Sequence, residues 1–139
     1  MARATHLADT SALARFDRPH VVASAAARIA AGQIALCAPV IYELGFSART
    51  AADYDAAATR LDAFERAQTT EGDFGRALDI QQRLVHRGLH RAVSLVDTLV
   101  AAVAESRGLV VLHYDADFEL IAEITGQSTE WIVERGTAD

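Results

Sequence analysis

Lysine is absent from this chain, and all 13 of its basic residues are arginine. That gap argues against chemistry built on a flexible amine, such as the lysine of a P-loop phosphate site. Cysteine is nearly absent too. A lone Cys37 excludes an internal disulfide and a cysteine-rich zinc site. Its place after Gln33-Ile34-Ala35-Leu36 reads as a small buried hydrophobe, in keeping with a reducing compartment. No long apolar run occurs. The longest uncharged stretch, Ile29 to Tyr42, is interrupted by Gly32, Gln33 and Pro39, and it falls short of the ~20 residues that cross a bilayer. Asp9 arrives before any apolar region develops, so no export signal is expected and the expected location is the cytoplasm. Net positive charge is also lacking. A formal charge of −6 argues against a protein that coats nucleic acid through a broad basic surface. It leaves room for a nuclease whose acids gather around bound cations.

No internal repeat, charge block or Pro/Ser-rich linker divides the sequence, and 139 residues fit one domain spanning 1–139. Such a length buries enough surface to need no disulfide or structural zinc. Thr5–Asp9 reads as a short buried strand that turns at Thr10-Ser11. The alanine-rich run from Pro19 to Ala31 reads as a helix, with Pro19 in its first turn and Gly32 past its end. Ile34–Cys37 is a second strand, and Pro39 opens a helix carrying Glu43. Tyr54, Leu61 and Phe64 set among charges predict an amphipathic helix from Asp53 to about Gln68. Thr70-Glu71-Gly72-Asp73 caps a further helix ending near Gly88, and Ser94-Leu95-Val96-Asp97 begins another that runs to Ser106. Leu109–His113 is a strand, Phe118 to Thr125 a short helix, and Glu130–Val133 a last strand. This alternation predicts an α/β fold, a mainly parallel sheet covered by helices on both faces. Ligands of open sheets of this kind collect outside the carboxyl ends of the strands.

What is present, against that background, is a set of four isolated acids. Asp9 ends an apolar run, Glu43 interrupts Pro39–Phe46, Asp97 is the only ionisable group from Ser94 to Ala104, and Asp115 closes Leu109–Tyr114. A carboxylate among core-type residues is costly unless it is paired, protonated or bound to a metal. Each has a plain structural alternative. Asp97 could complete a Ser-x-x-Asp capping box, Asp9 could cap the turn after it, and Asp115 with Asp117 could form an Asx turn. Glu43 could snorkel at the core edge. Yet the helix around Asp97 is apolar on every side, which marks it as buried and points its one carboxylate into the protein or a pocket. Four such acids along one chain suggest one shared cation site. All-oxygen ligands favour a hard cation, Mg²⁺ or Mn²⁺.

Asp9-Thr10-Ser11-Ala12-Leu13, then Glu43 early in a helix, then Ser94-Leu95-Val96-Asp97-Thr98-Leu99, then His113-Tyr114-Asp115-Ala116-Asp117-Phe118 resemble PIN domains, and more narrowly the VapC-type toxins of toxin–antitoxin pairs. The resemblance runs through the whole chain in order. It implies a three-layer α/β/α sandwich and a Mg²⁺- or Mn²⁺-dependent endoribonuclease. An RNA substrate (tRNA or ribosomal RNA), a small antitoxin partner and a homodimer follow from it as well. It makes Asp9, Glu43, Asp97 and Asp115 the catalytic and metal-binding quartet. Asp117 becomes an auxiliary acid, and Ser11, with Thr10 as a second possibility, orients Asp9 or a water. His113 stands where many relatives carry a small hydroxyl residue.

Other features are weaker. Arg15, Arg18, Arg87 and Arg91 are candidates to meet phosphates, with a solvated surface role as the alternative. His86 and His90 lack the intervening pattern of a zinc helix, and Gly88 separates them. Asp53, Asp55, Asp62 and Glu65 read as a solvated helix face; Tyr42 and Trp131 read as core or interface residues. Two other functions compete. The strand before Asp115-Ala116-Asp117 resembles the nucleophile motif of haloacid-dehalogenase-type phosphatases, but that chemistry needs a lysine and more chain after the motif. A PIN-like module that only binds RNA or protein is the non-catalytic alternative.

Overall fold

The computed structural model describes residues 4–139. Its elements are β1 (His6–Ala8), α1 (Thr10–Leu13), α2 (Val22–Ala30), β2 (Ile34–Cys37), α3 (Ala38–Phe46), α4 (Ala51–Leu61), β3 (Glu65–Ala67), α5 (Glu71–His86), α6 (Leu95–Ser106), β4 (Val110–His113), α7 (Asp117–Thr125) and β5 (Thr129–Trp131). The five strands form one sheet in the order β3-β2-β1-β4-β5, and every neighbouring pair is parallel.

The strands separate two cores because successive side chains of a strand leave opposite faces. Leu7, Ala35, Cys37 and Val111 join one apolar cluster with Val40 of α3, Ile80 and Leu84 of α5, Val100 and Val103 of α6, and Phe118 and Ile121 of α7. Their neighbours Ala8, Ile34, Leu36 and Leu112 join the other cluster with Ala12 of α1, Ala25 of α2, Tyr114, Ile132 and Ala138. Strands buried on both faces read as unbroken apolar runs, as Ile34–Cys37 and Val110–Leu112 do. The result is the three-layer α/β/α sandwich. No helix among the described residues is long and apolar enough to cross a membrane.

Two elements differ from expectation. Helix α4 stops at Leu61, and Glu65–Ala67 becomes a fifth strand beside β2, pairing Ala35 with Glu65 and Cys37 with Ala67. The spacing of Leu61 and Phe64 suits a helix equally well. The open edge of β2 decides otherwise, because its backbone groups need partners. Glu65 therefore lies on this edge strand, where its Oε1 accepts a hydrogen bond from the Ala4 amide (3.3 Å), rather than on a helix face. Helix α2 begins at Val22, so Pro19 sits in the preceding turn, where the Val21 and Val22 amides both donate to the Arg18 carbonyl. Gly88, at φ +70°, follows the end of α5 and takes His86 and His90 out of helical register.

Topology sets the site. Chain order runs outward from β1 to β2 and β3 on one side and to β4 and β5 on the other. The switch point of the sheet is thus between β1 and β4, where open α/β sheets leave a crevice at the strands' carboxyl ends. Asp9 follows β1 directly, and Asp115 comes two residues after β4.

Candidate metal centre

Asp9 caps the short helix α1. Its Oδ2 accepts hydrogen bonds from the Ser11 amide (3.0 Å) and the Ser11 hydroxyl (2.7 Å). The same hydroxyl oxygen accepts from the Tyr114 amide at 2.9 Å, so Ser11 ties the end of β1 to the end of β4. Asp9 is buried, and burial raises its pKa against the lowering effect of Ser11, with Glu43 adding repulsion. Its other oxygen, Oδ1, is buried with no hydrogen-bond partner. Glu43 lies in the second turn of α3, which Pro39 opens. Its Oε1 accepts the Thr10 hydroxyl at 2.5 Å.

Asp97 is the centre of the cluster. Ser94 caps α6, its Oγ accepting from the Val96 amide (3.1 Å) and the Asp97 amide (3.4 Å). In a capping box the acid at the third position reaches back to the cap's own amide. Here Asp117 takes that position: its Oδ2 accepts from the Ser94 amide at 3.4 Å. The Asp97 carboxylate is left for the cluster, and its Oδ2 is buried without a partner. Desolvation, then the charges of Asp9 and Asp115, then a bond to Asp117 push its pKa up to about 9. Asp117 is raised as well, by burial and by Asp115. Asp115 accepts the Asp117 amide at 2.9 Å, the predicted Asx turn.

One oxygen each from Asp97, Asp115 and Asp117 lie within 4.8 Å of one another. Asp9 and Glu43 lie outside this trio, but the charge of Asp9 raises Asp97, that of Glu43 raises Asp9, and Thr10, next to Asp9 in the chain, bonds Glu43. The geometry therefore brings the four acids to one rim and puts Asp117, assigned an auxiliary part, inside the tightest group. Carboxylates at such spacing, Asp97 buried and Asp115 and Asp117 half-buried, repel one another, and the two orphaned oxygens, on Asp9 and Asp97, have no protein donor to satisfy them. An oxygen-only donor set with uncompensated charge fits a hard divalent cation. His113 offers no ligand: it is fully buried, its Nδ1 accepts the Asp115 amide at 3.1 Å, and its ring packs on Phe118 and Trp131. Burial holds its pKa down at about 4.

The arginines divide. Arg18 and Arg91 are exposed, and Arg87 faces Glu123 at 3.8 Å. Arg15 does not reach out toward phosphates: it donates to the Ser11 carbonyl and the Ala138 carbonyl, both at 2.9 Å, and lies 4.3 Å over the Tyr114 ring. The sequence marks neither this role nor that of Tyr114; only the i, i+4 spacing of Ser11 and Arg15 hints at it. Tyr42 is not a core residue either, being 87% exposed, beside Phe46 at 93%. These two rings, with Tyr54, Phe74, Val96 and Leu99, line an open groove of about 940 Å³ that Glu43 also borders.

A PIN-domain model matches residues 7–124. Ribonuclease VapC18 of Mycobacterium tuberculosis is 45% identical over 131 residues, covering 93% of this chain and 96% of that protein. Ribonuclease VapC51 of the same species is 42% identical over 134 residues, covering 96% and 97%. Among solved structures, DNA-bound VapBC from Salmonella typhimurium superposes with a TM-score of 0.77 at 19% identity, over 94% of this chain and 100% of that one. VapBC-5 from Mycobacterium tuberculosis gives 0.62 at 22% identity, over 91% and 97%. The structural likenesses speak for the fold and the sequence likenesses for the kinship: this chain belongs to the PIN-domain family, in the company of the VapC ribonucleases.

Proposed function

We propose that this protein is a divalent-metal-dependent endoribonuclease and the toxin of a toxin–antitoxin pair. The observation that carries the reading is the crowding of the Asp97, Asp115 and Asp117 carboxylates at the switch point of a PIN-family sheet, with unsatisfied buried oxygens on Asp97 and Asp9. Asp9, Asp97, Asp115 and Asp117 would hold Mg²⁺ or Mn²⁺, with Glu43 at the margin. The bound ion supplies Lewis acidity at the phosphoryl group and neutralises its growing charge. The chain's own residues do the rest. Ser11 orients Asp9, Ser94 and Asp117 orient the start of α6, and Glu43, steadied by Thr10, takes the proton of the attacking water. Exposed Arg18 and Arg91 contact RNA phosphates, and tRNA or ribosomal RNA is the substrate class that the kinship favours.

Water attack leaves a 5′-phosphate and a 3′-hydroxyl. The alternative route through the ribose 2′-hydroxyl needs an accessible acid–base pair, and the histidine beside the cluster is sealed in the core. End-labelling of cleaved RNA tests this, and 2′,3′-cyclic ends would remove the mechanism. EDTA should stop cleavage.

The relatives' VapBC complexes support an antitoxin partner for this chain. A flexible basic peptide entering the acid cluster would block RNA, while apolar residues of the partner cover the Tyr42–Phe46 groove. A homodimer is part of the same reading, and sedimentation equilibrium measures it. Expressed alone in bacteria the chain should arrest growth, and coexpression with the adjacent small protein should restore it. Asp9→Ala should be harmless. A soluble, abundant wild-type chain without effect on growth would sink the toxin reading.

A further inference from the structure

The end of β1 and the end of β4 carry the acids, yet the carboxylates they bring together repel one another. The sheet ladder ties the strands up to the Asp9 amide, which donates to the Leu112 carbonyl at 2.9 Å. Beyond that point the hydrogen bonds around Tyr114 continue the tie. The Tyr114 hydroxyl donates to Asp139 Oδ1 (2.7 Å) and accepts from the Gly136 amide (2.8 Å) and the Ala138 amide (2.9 Å). A phenol with one proton and two lone pairs is thereby saturated. Arg15 lies on the ring face and joins the Ala138 carbonyl to the Ser11 carbonyl. The ring also meets Trp131 edge-to-face, at 5.4 Å and 87°. Tyr114 precedes Asp115, and its amide reaches the hydroxyl that holds Asp9.

We propose that Arg15, Tyr114 and the segment Gly136–Asp139 form a brace that positions Asp9 against Asp115 for cation binding. Arg15 and Tyr114 touch neither substrate nor cation; they are positioning residues that act through Ser11 and the backbone of residue 114. The inference rests on the metal-site reading of the acid cluster. Its physical basis is preorganisation: ligands held in place before binding spare the cation the cost of gathering them, and sites tolerate only about 0.5 Å of misplacement. Arg15 and Tyr114 are half-buried and buried, in the layer opposite to α6, so the brace works from behind the site rather than from its mouth.

The test is titration of the full chain with Mn²⁺ alone, followed by calorimetry or electron paramagnetic resonance. Tyr114→Phe keeps the ring and removes the hydroxyl; Arg15→Ala removes the link to Ser11. Each should weaken Mn²⁺ binding about tenfold, and the double variant should lose little more than the worse single one, since both act through one brace. RNA cleavage should recover toward the parent rate in excess Mn²⁺, with KM for RNA unchanged. Val133→Ala, in the same apolar layer but outside the brace, should lower Tm while leaving Mn²⁺ affinity alone. If Tyr114→Phe fails to fold, Arg15→Lys, which keeps the charge and loses the two-pronged bonding, carries the comparison. Parent-like Mn²⁺ affinity in the folded variants overturns the brace, as does an equal loss in Val133→Ala. A parent chain that binds no Mn²⁺ overturns instead the metal reading beneath it.

Discussion

At Asp97, burial and the charges of Asp9 and Asp115 raise the folded pKa from 3.8 to about 9. Between those two values the folded chain binds a proton that the unfolded chain does not, so the metal-free protein should lose stability as pH rises through that window. Asp97→Asn removes this residue's share of the dependence. Urea titrations of both forms in EDTA at pH 5 and pH 8 should show the parent falling with pH and the variant falling less, with the variant the more stable at pH 8. The same variant should lose RNA cleavage by orders of magnitude, because it removes a ligand charge at nearly constant size. A variant that cleaves like its parent would reduce Asp97 to a structural residue. His113 acts with the opposite sign. Its pKa, held at about 4 by burial, means that stability present above about 6.5 is lost as pH falls through 4. Between about 4 and 6.5 the two effects oppose each other, so the metal-free chain should lose stability most clearly as pH rises above about 6.5.

At the scale of elements, α6 is the delivery device for Asp97, and its first turn is set by two side chains rather than one. Ser94 caps the amides of Val96 and Asp97, and Asp117 of α7 caps the amide of Ser94. Ser94→Ala should cost about 1 kcal/mol of stability, the usual worth of such a cap, lowering Tm by several degrees. Because the cap fixes the register at which Asp97 leaves the helix, Mn²⁺ affinity should fall too. Thermal melts with and without Mn²⁺ separate the two effects, and a loss of Tm with unchanged metal affinity would show that α6 keeps its alignment without the cap. The box pattern Ser94-x-x-Asp97 is legible in the sequence, and so is the helix. That Asp117 takes over half of the cap is not, because it depends on how α7 docks on α6, some twenty residues away in the chain.

At the scale of the whole molecule, the acid rim and the aromatic groove adjoin at Glu43, one strongly negative and the other apolar. A partner that inhibits the enzyme would use both. Phe46 is nearly fully exposed, so Phe46→Asp should fold as the parent does, while the exchange of an aromatic anchor for a charge should weaken antitoxin binding at least roughly thirtyfold. RNA cleavage should persist. Pull-down with the antitoxin alongside a nuclease assay checks this, and undiminished binding would move the partner to another face.

The apolar strands, the capping signatures and the four isolated acids are local features, and they determined the α/β class, most of the helices and the candidates for the site, since side-chain period and capping chemistry act within a few residues. Tertiary structure decided what depends on distant neighbours. Glu65–Ala67 became a strand because β2 had a free edge, and of the two readings of Tyr42, core or interface, the core one fell because α3 turns it to solvent. Arg15 was drawn into a brace because Tyr114 and Ala138 lie beside it. Asp117 entered the tightest acid group because β4 ends next to α6. In each case the residue's own preference was weak, and the deciding energy came from a backbone group, a ring or a charge supplied by another part of the chain.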